Sequence, residues 1–161
     1  MSPASEPSVT VMQVRPARAD EQALIRHMVA KARLDPTNLH WQNFLLAEVD
    51  GQVVGCGQIR PYPGLRELGS MVVRSAYRKR GVGAALMRAL LAQGTPPLFL
   101  ECPAYRVSFY ERFGFRLAGF GEIPWVLRLK WLLGNTLVRW LSGVPIRAMR
   151  WDGDSPFDKV S

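Results

Sequence analysis

The chain has 161 residues, 48% hydrophobic and 21% charged, and its 21 Lys+Arg against 13 Asp+Glu give a net charge of +8. That length and composition suit one folded domain and exclude wholesale disorder, and no apolar run reaches the ~18 residues of a membrane span. Residues 1–9 lack the charged and apolar regions of a leader, and Cys56 and Cys102 have neither disulfide nor zinc spacing, so a cytoplasmic protein without metal is expected.

Residues 1–10 are small, polar and proline-containing and read as a flexible tail ahead of a single domain over 11–161. Val11–Arg15 alternates as a short strand. Asp20 is placed as the N-cap of a helix with Ala23, Leu24, His27 and Met28 on one side, stopped by Pro36, and Leu39–Asn43 adds a short second helix. Phe44–Val49 and Gln52–Ile59, joined by Asp50-Gly51, carry the strongest hairpin signal in the chain. Tyr62-Pro63-Gly64 is a loop, and Glu67–Val73 is another strand. Gly81–Gln93 reads as a helix, with Val82, Ala85, Leu86, Ala89 and Leu90 in one apolar stripe. Leu98–Cys102 is a buried strand, Val107–Phe113 a short helix stopped by Gly114, and Phe115–Glu122 a further strand. This alternation predicts a mixed α/β sheet layered with helices.

The positive charge is concentrated in two places. Arg74, Arg78, Lys79 and Arg80 fall within seven residues without an acid, and Arg128, Lys130, Arg139, Arg147 and Arg150 fall between Ile123 and Trp151, again without one. The remainder of the chain is close to neutral, so each cluster calls for its own explanation.

The first cluster lies in Val73-Arg-Ser-Ala-Tyr-Arg-Lys-Arg-Gly-Val-Gly-Ala84, between a strand and a helix. Gly81 and Gly83 let the backbone approach a ligand closely, and the helix start offers unspent N–H groups and the positive end of its dipole. Such a turn suits a pyrophosphate. The spacing is neither a P-loop, since no Gly-Lys-Ser/Thr follows, nor a dinucleotide fingerprint, since position 86 is Leu.

Taken with Glu67-Leu-Gly-Ser-Met-Val-Val73 before it and Ser108-Phe-Tyr-Glu-Arg-Phe-Gly-Phe115 after it, the turn resembles the GNAT superfamily of N-acetyltransferases. The family's Arg/Gln-x-x-Gly-x-Gly/Ala motif is matched by Arg78-x-x-Gly81-x-Gly83, and the likeness covers roughly residues 11–122. It implies a mixed, mostly antiparallel sheet with splayed central parallel strands, flanked by helices, in a single N-acetyltransferase domain. It also implies acetyl-CoA as co-substrate and direct attack of an amine on the thioester. Met71, Val72 and Val73 would then offer main-chain groups to the pantetheine, thioester and developing oxyanion. Arg78, Lys79, Arg80, Gly81, Val82, Gly83 and Ala84 would hold the pyrophosphate.

In the family, a tyrosine at the place of Tyr110 lies near the CoA sulfur and protonates the departing thiolate; the alternative is a core ring with a hydrogen-bonded tip. Glu67, where many relatives carry a glutamate, is the first candidate for the base, and a strand carboxylate paired with Arg66 or Arg60 is the alternative reading. Glu101 and Glu122 follow it, and water is a further route. Cys102 as a nucleophile would need a basic partner, and the only histidines, His27 and His40, have no sequence link to it.

The second cluster departs from a minimal member of the family. Residues 123–145 read as a helical C-terminal insertion before the last strand, taken from Ile146 or Ala148 to Trp151, and Gly134 allows two short helices. Arg128, Asn135 and Arg139 share one face, with Leu129, Leu133, Leu137 and Trp140 opposite. Packing on the sheet or a homodimer interface is the preferred reading, followed by a wall of the acceptor pocket, then by contact with a membrane surface. Nucleic acid is not an expected partner, because no base-reading module accompanies the charge. The expected function is transfer of an acetyl group from acetyl-CoA to a primary amine, of a small molecule or a protein. The alternative is a catalytically weak acyl-CoA-binding module acting through protein or membrane-surface contacts. The net charge disfavours a polycationic acceptor.

Overall fold

The computed structural model describes residues 10–154; within its longest helix, the side chains of Trp131 and of residues 134–140 also lie outside the description. The expected tail over residues 1–10 therefore lies almost wholly outside the described residues, as do the helix-face assignments of Asn135, Leu137, Arg139 and Trp140. Among the described residues, seven strands form one sheet in the order β1-β2-β3-β4-β5-β7-β6. The chain divides into two compact units, one holding the residues up to Gln58 with Ser70–Ala89, the other Ile59–Gly69 with the residues from Leu90 onward. Strands β3 (Gln52–Tyr62) and β4 (Leu65–Val73) contribute residues to both.

In the first unit, β1 (Met12–Pro16) and β2 (Phe44–Val49) pair antiparallel, as do β2 and β3. Asp50 and Gly51 both take positive φ, 49° and 78°, the geometry that the Asp-Gly pair predicts for a two-residue hairpin turn. Asp50 also accepts a hydrogen bond from the Val11 N–H at 2.9 Å, tying β1 to the same turn. Helix α1 (Gln22–Lys31) buries Ile25, Met28 and Val29 against Phe44, Leu46, Cys56 and Val72. Its entry differs from expectation. A 3-10 turn over Ala19–Glu21 precedes it, and Glu21, rather than Asp20, accepts the Arg18 N–H at 2.7 Å. Burial decides between the two acids: Glu21 is buried beside Arg15, whereas the Asp20 side chain lies in solvent.

Arg15 donates to both Glu21 and Glu48, which are buried, and Gln13 adds a 2.6 Å bond to Glu48. The Arg15 guanidinium, through these hydrogen bonds, holds both carboxyls below the usual glutamate range. A folded-state pKa below the unfolded one stabilises the fold above the unfolded pKa of ~4.3, and that contribution disappears as the pH falls through the folded value. Arg15→Met leaves the Glu21 and Glu48 carboxylates without the cation that both accept hydrogen bonds from. Its melting temperature near neutral pH is expected to drop by a few degrees, on the order of 2–4 °C for each kcal/mol lost in a chain of this size. Scanning calorimetry should also show the parent losing stability between about pH 5 and pH 3 more steeply than the variant does.

Helix α2 (Val82–Gln93) begins in the first unit. A Cβ on Gly55 would lie 3.0 Å from Leu86 Cδ1 and from the Val72 carbonyl and 3.3 Å from Val82, so a glycine in β3 is what lets the first turns of α2 pack this closely.

In the second unit, β4 runs parallel to β5 (Leu98–Pro103) at two residue pairs, Arg66 with Leu98 and Glu67 with Phe99. Both strands continue past that short ladder. β5 pairs antiparallel with β7 (Ile146–Trp151) along its whole length, and β7 with β6 (Arg116–Leu117). The strand expected over Phe115–Glu122 shrinks to those two residues of β6. Beyond them the Glu122 carboxylate accepts the Gly119 N–H at 2.8 Å and both arms of Arg116 at 2.7 and 3.0 Å, which closes a 3-10 turn instead of extending the ladder. α3 spans Val107–Glu111; the Phe113 and Gly114 N–H groups then bond back to Tyr110 and Glu111, and Gly114 leaves the helix at φ 88°. The insertion forms one helix, α4 (Trp125–Ser142), continuous through Gly134. Leu127 and Ile123 anchor its start against Leu65, Phe99 and Ala148.

Candidate active site

The glycine turn belongs to the first unit. After β4 ends, a 3-10 turn over Ser75–Tyr77 leads into Arg78, whose Nε donates to the Val73 carbonyl at 3.1 Å and so fastens the turn to the end of the strand. Lys79 (φ 60°) and Gly81 (φ 81°) both adopt the left-handed region. Alternation of this kind turns successive N–H groups toward one side of the chain, a main-chain concavity for an anion. The Ala85 N–H donates to the Gly81 carbonyl at 2.9 Å as α2 begins, and the N–H groups of Val82, Gly83 and Ala84 lie in its first turn, ahead of its own ladder. Lys79 and Arg80 are exposed, and the Arg80 guanidinium lies 5.6 Å over the Tyr77 ring, whose hydroxyl is 3.1 Å from Gln52. Backbone donors, helix dipole and cations thus meet at one turn.

In the same unit, β4 carries a distortion that no sequence pattern indicated. Ser70 is buried with φ 52° in the middle of a strand. Its Oγ accepts a hydrogen bond from Gln58 Nε2 at 2.9 Å, and its carbonyl lies 3.7 Å from the Cys56 thiol, a donor. A non-glycine residue held there by two contacts marks an imposed backbone geometry two residues before Val72. Met71 and Val73 are half-buried and Val72 is buried.

The second unit holds Tyr110, Cys102 and Glu67. Tyr110 lies on α3 in an aromatic group, its ring 5.1 Å edge-on from Phe109 and 6.1 Å from Phe115. Burial pushes its hydroxyl up to about 12, with the neighbouring Cys102 adding to the rise and Arg106 opposing it. Cys102 is buried, its sulfur 3.8 Å from Met149 Sδ, and burial pushes the thiol up to about 11. Both groups are therefore protonated at neutral pH: Tyr110 is a donor, and Cys102 lacks the thiolate character of a nucleophile.

Glu67 is buried on β4 and meets two cations. Lys130 Nζ approaches its two oxygens at 3.1 and 3.2 Å, and Arg60, buried on β3, lies 3.6 Å away. The arrangement matches the reading of Glu67 as a carboxylate paired with Arg60 and adds Lys130 of α4. A partner 63 positions away in sequence leaves no local signal. Glu122 is drawn down to about 2 by its hydrogen bonds from Arg116 and Gly119, which makes it a poor proton acceptor near neutrality. Glu101 is half-buried on β5, and His27 and His40 are exposed in the first unit. Among the described residues, no group of His, Cys, Asp or Glu is arranged to hold a metal.

Residues 40–117 match the family model described as Acetyltransferase (GNAT) domain. N-acetylglutamate synthase from Neisseria gonorrhoeae, complexed with coenzyme A and N-acetyl-glutamate, is 19% identical at a TM-score of 0.70, over 87% of this chain and 35% of that one. Rv2747 from Mycobacterium tuberculosis, in complex with CoA and NLQ, is 22% identical at 0.65, over 87% and 98%. A GNAT-family acetyltransferase from Staphylococcus aureus Mu50 is 15% identical at 0.66, over 89% and 100%. At these identities the likeness establishes the fold. The chain spans about a third of the length of the Neisseria synthase structures it matches. No curated protein sequence matches it. A mixed sheet with one short parallel ladder, and a helix entered through a glycine turn flanked by cations, define an α/β protein of the acetyltransferase fold. Over residues 40–117 the chain is similar to the GNAT acetyltransferase domain, and its fold is that of the acetyltransferase structures it matches.

Proposed function

We propose that the protein transfers an acetyl group from acetyl-CoA directly to a primary amine. The observation that carries this reading is the turn at Lys79–Gly81, where two left-handed residues and the unspent N–H groups of α2 form an anion site of the kind a pyrophosphate needs. Arg78, Lys79, Arg80, Gly81, Val82, Gly83 and Ala84 hold the CoA pyrophosphate. Main-chain groups of Met71, Val72 and Val73, beside the distortion at Ser70, receive the pantetheine and the developing oxyanion. Tyr110 supplies the proton to the departing thiolate. Glu67, held by Arg60 and Lys130, is a fixed negative charge at the start of β4, and the amine's proton leaves through it or through water.

CoA in the structures of the Neisseria and Mycobacterium relatives supports the co-substrate, and N-acetyl-glutamate in the former supports an acceptor carrying a carboxylate. A net charge of +8 favours such an amine over a polyamine. The two cysteines, both free and buried, suit a cytoplasmic protein. Acetyl-CoA is expected to raise the melting temperature in a concentration-dependent way. Release of free thiol should then be seen with α-amino acids, glutamate among them, and not with spermidine. Stabilisation without thiol release across an amine panel would support the acyl-CoA-binding module instead, and no stabilisation would overturn both readings.

A further inference from the structure

We propose that the outward face of α4 is a peripheral docking surface for anionic lipid. The helix is apolar on two opposite sides. Its inner side buries Leu127 in the cluster of Leu65, Phe99 and Ala148. On the outer side Trp125 is 75% exposed, Leu129 57% and Leu133 67%, with Leu132 also exposed. Positions 125, 129, 132 and 133 recur at the spacing of a single helical stripe, so these side chains form one surface. A helix that packs only on its own sheet keeps that side polar.

Cations border the stripe. Arg128 donates to the carbonyls of Ile123 and Gly121 at 2.6 and 2.9 Å and stacks 5.0 Å over the exposed ring of Phe120. Exposed Arg147 lines a shallow recess with Leu117, Phe120 and Ile123, just before the helix starts. Of the five basic residues between Ile123 and Trp151, a segment without an acid, Lys130 pairs with Glu67 and Arg150 with Asp152, while Arg128 and Arg147 are placed beside Phe120.

Charge decides the occupant. A second copy docking through the same face would set this acid-free segment against itself, and like charges in a self-complementary contact repel. An anionic bilayer satisfies both features at once: Leu and Trp enter the boundary between headgroups and acyl chains while Arg meets lipid phosphate. No helix among the described residues is long and apolar enough to cross a membrane, so α4 would lie on the surface.

Flotation of the full chain with vesicles of equal phosphatidylglycerol and phosphatidylcholine, against phosphatidylcholine alone, tests this. The protein is expected to float with the anionic vesicles only, and to be released at about 0.5 M salt. Leu129→Glu combined with Leu133→Glu changes two exposed positions, so the fold and acetyl-CoA-dependent stabilisation should persist while vesicle binding falls about tenfold or more. Arg147→Glu, independent of the helix, should weaken binding to anionic vesicles and reduce its salt dependence. Absence of flotation at low salt overturns the proposal. So does binding that survives the double substitution, or a dimer in sedimentation that the same substitution dissociates.

Discussion

Replacing Tyr110 with phenylalanine is expected to slow acetyl transfer at least about tenfold, and toward 10² if protonation of the leaving thiolate limits the reaction, because a positioned acid contributes ~10²–10⁴ in rate. The substitution isolates the hydroxyl. The ring contacts to Phe109 at 5.1 Å and Phe115 at 6.1 Å involve carbon that phenylalanine keeps, so melting temperature and acetyl-CoA affinity should hardly change. A hydroxyl pushed up to about 12 is a weaker acid than a free phenol. A thiolate formed in the same surroundings meets the same desolvation, however, as Cys102, pushed up to about 11, illustrates. Donor and acceptor therefore stay close enough for useful transfer. With Tyr110 protonated to about 12, its ionisation should produce no alkaline fall in kcat below pH ~11. Steady-state kinetics with a fixed acceptor would show the effect in kcat rather than in the KM for acetyl-CoA, and an unchanged kcat would remove Tyr110 from the chemistry.

Gly81→Val should weaken CoA binding by about 10- to 100-fold, as read by titration calorimetry, because each tenfold corresponds to about 1.4 kcal/mol and the backbone strain at stake is about 1–3 kcal/mol. At φ 81° a β-branched residue is strained, while nothing lies within 4 Å of the Cβ it would add. The protein can thus accept the substitution only by straining the turn or by letting it leave the left-handed region, which moves the N–H groups meant for phosphate. Gly64→Val is the matched control: φ is 76°, nothing lies within 4 Å of its added Cβ, and it sits in the β3–β4 turn. Both variants should lose similar stability, and only Gly81→Val should lose CoA. Equal loss of affinity in the two would mean that the Lys79–Gly81 turn is not the phosphate site.

What the chain announces locally, it folds as announced. Asp50-Gly51 takes the two positive φ values that close its hairpin, and the stripe Val82, Leu86, Leu90 is buried along α2. The glycine turn between β4 and α2 is legible for the same reason: every group it needs lies within a dozen residues. Features set by distant partners left no such trace. Glu67 acquires Lys130 from 63 positions away, and the acid that accepts the Arg18 main-chain N–H is chosen by the burial of Glu21 beside Arg15. β6 stops after Leu117 because Arg116 and Gly119 are claimed by Glu122.

The +8 charge follows the same division. Its location in two clusters is a property of the sequence alone, and so is the suitability of the first for phosphate, because dipole, glycines and cations are contiguous there. The disposition of the second was decided by tertiary structure. Periodicity set Leu129 and Leu133 on an apolar face opposite Arg128, a pattern that predicts a buried face, but it carried no information on which apolar residues the sheet would cover. Packing of Leu127 against Phe99 and Ala148 buries one side and leaves Trp125, Leu129 and Leu133 in solvent beside arginine, because a single sheet face can cover only one side of a helix.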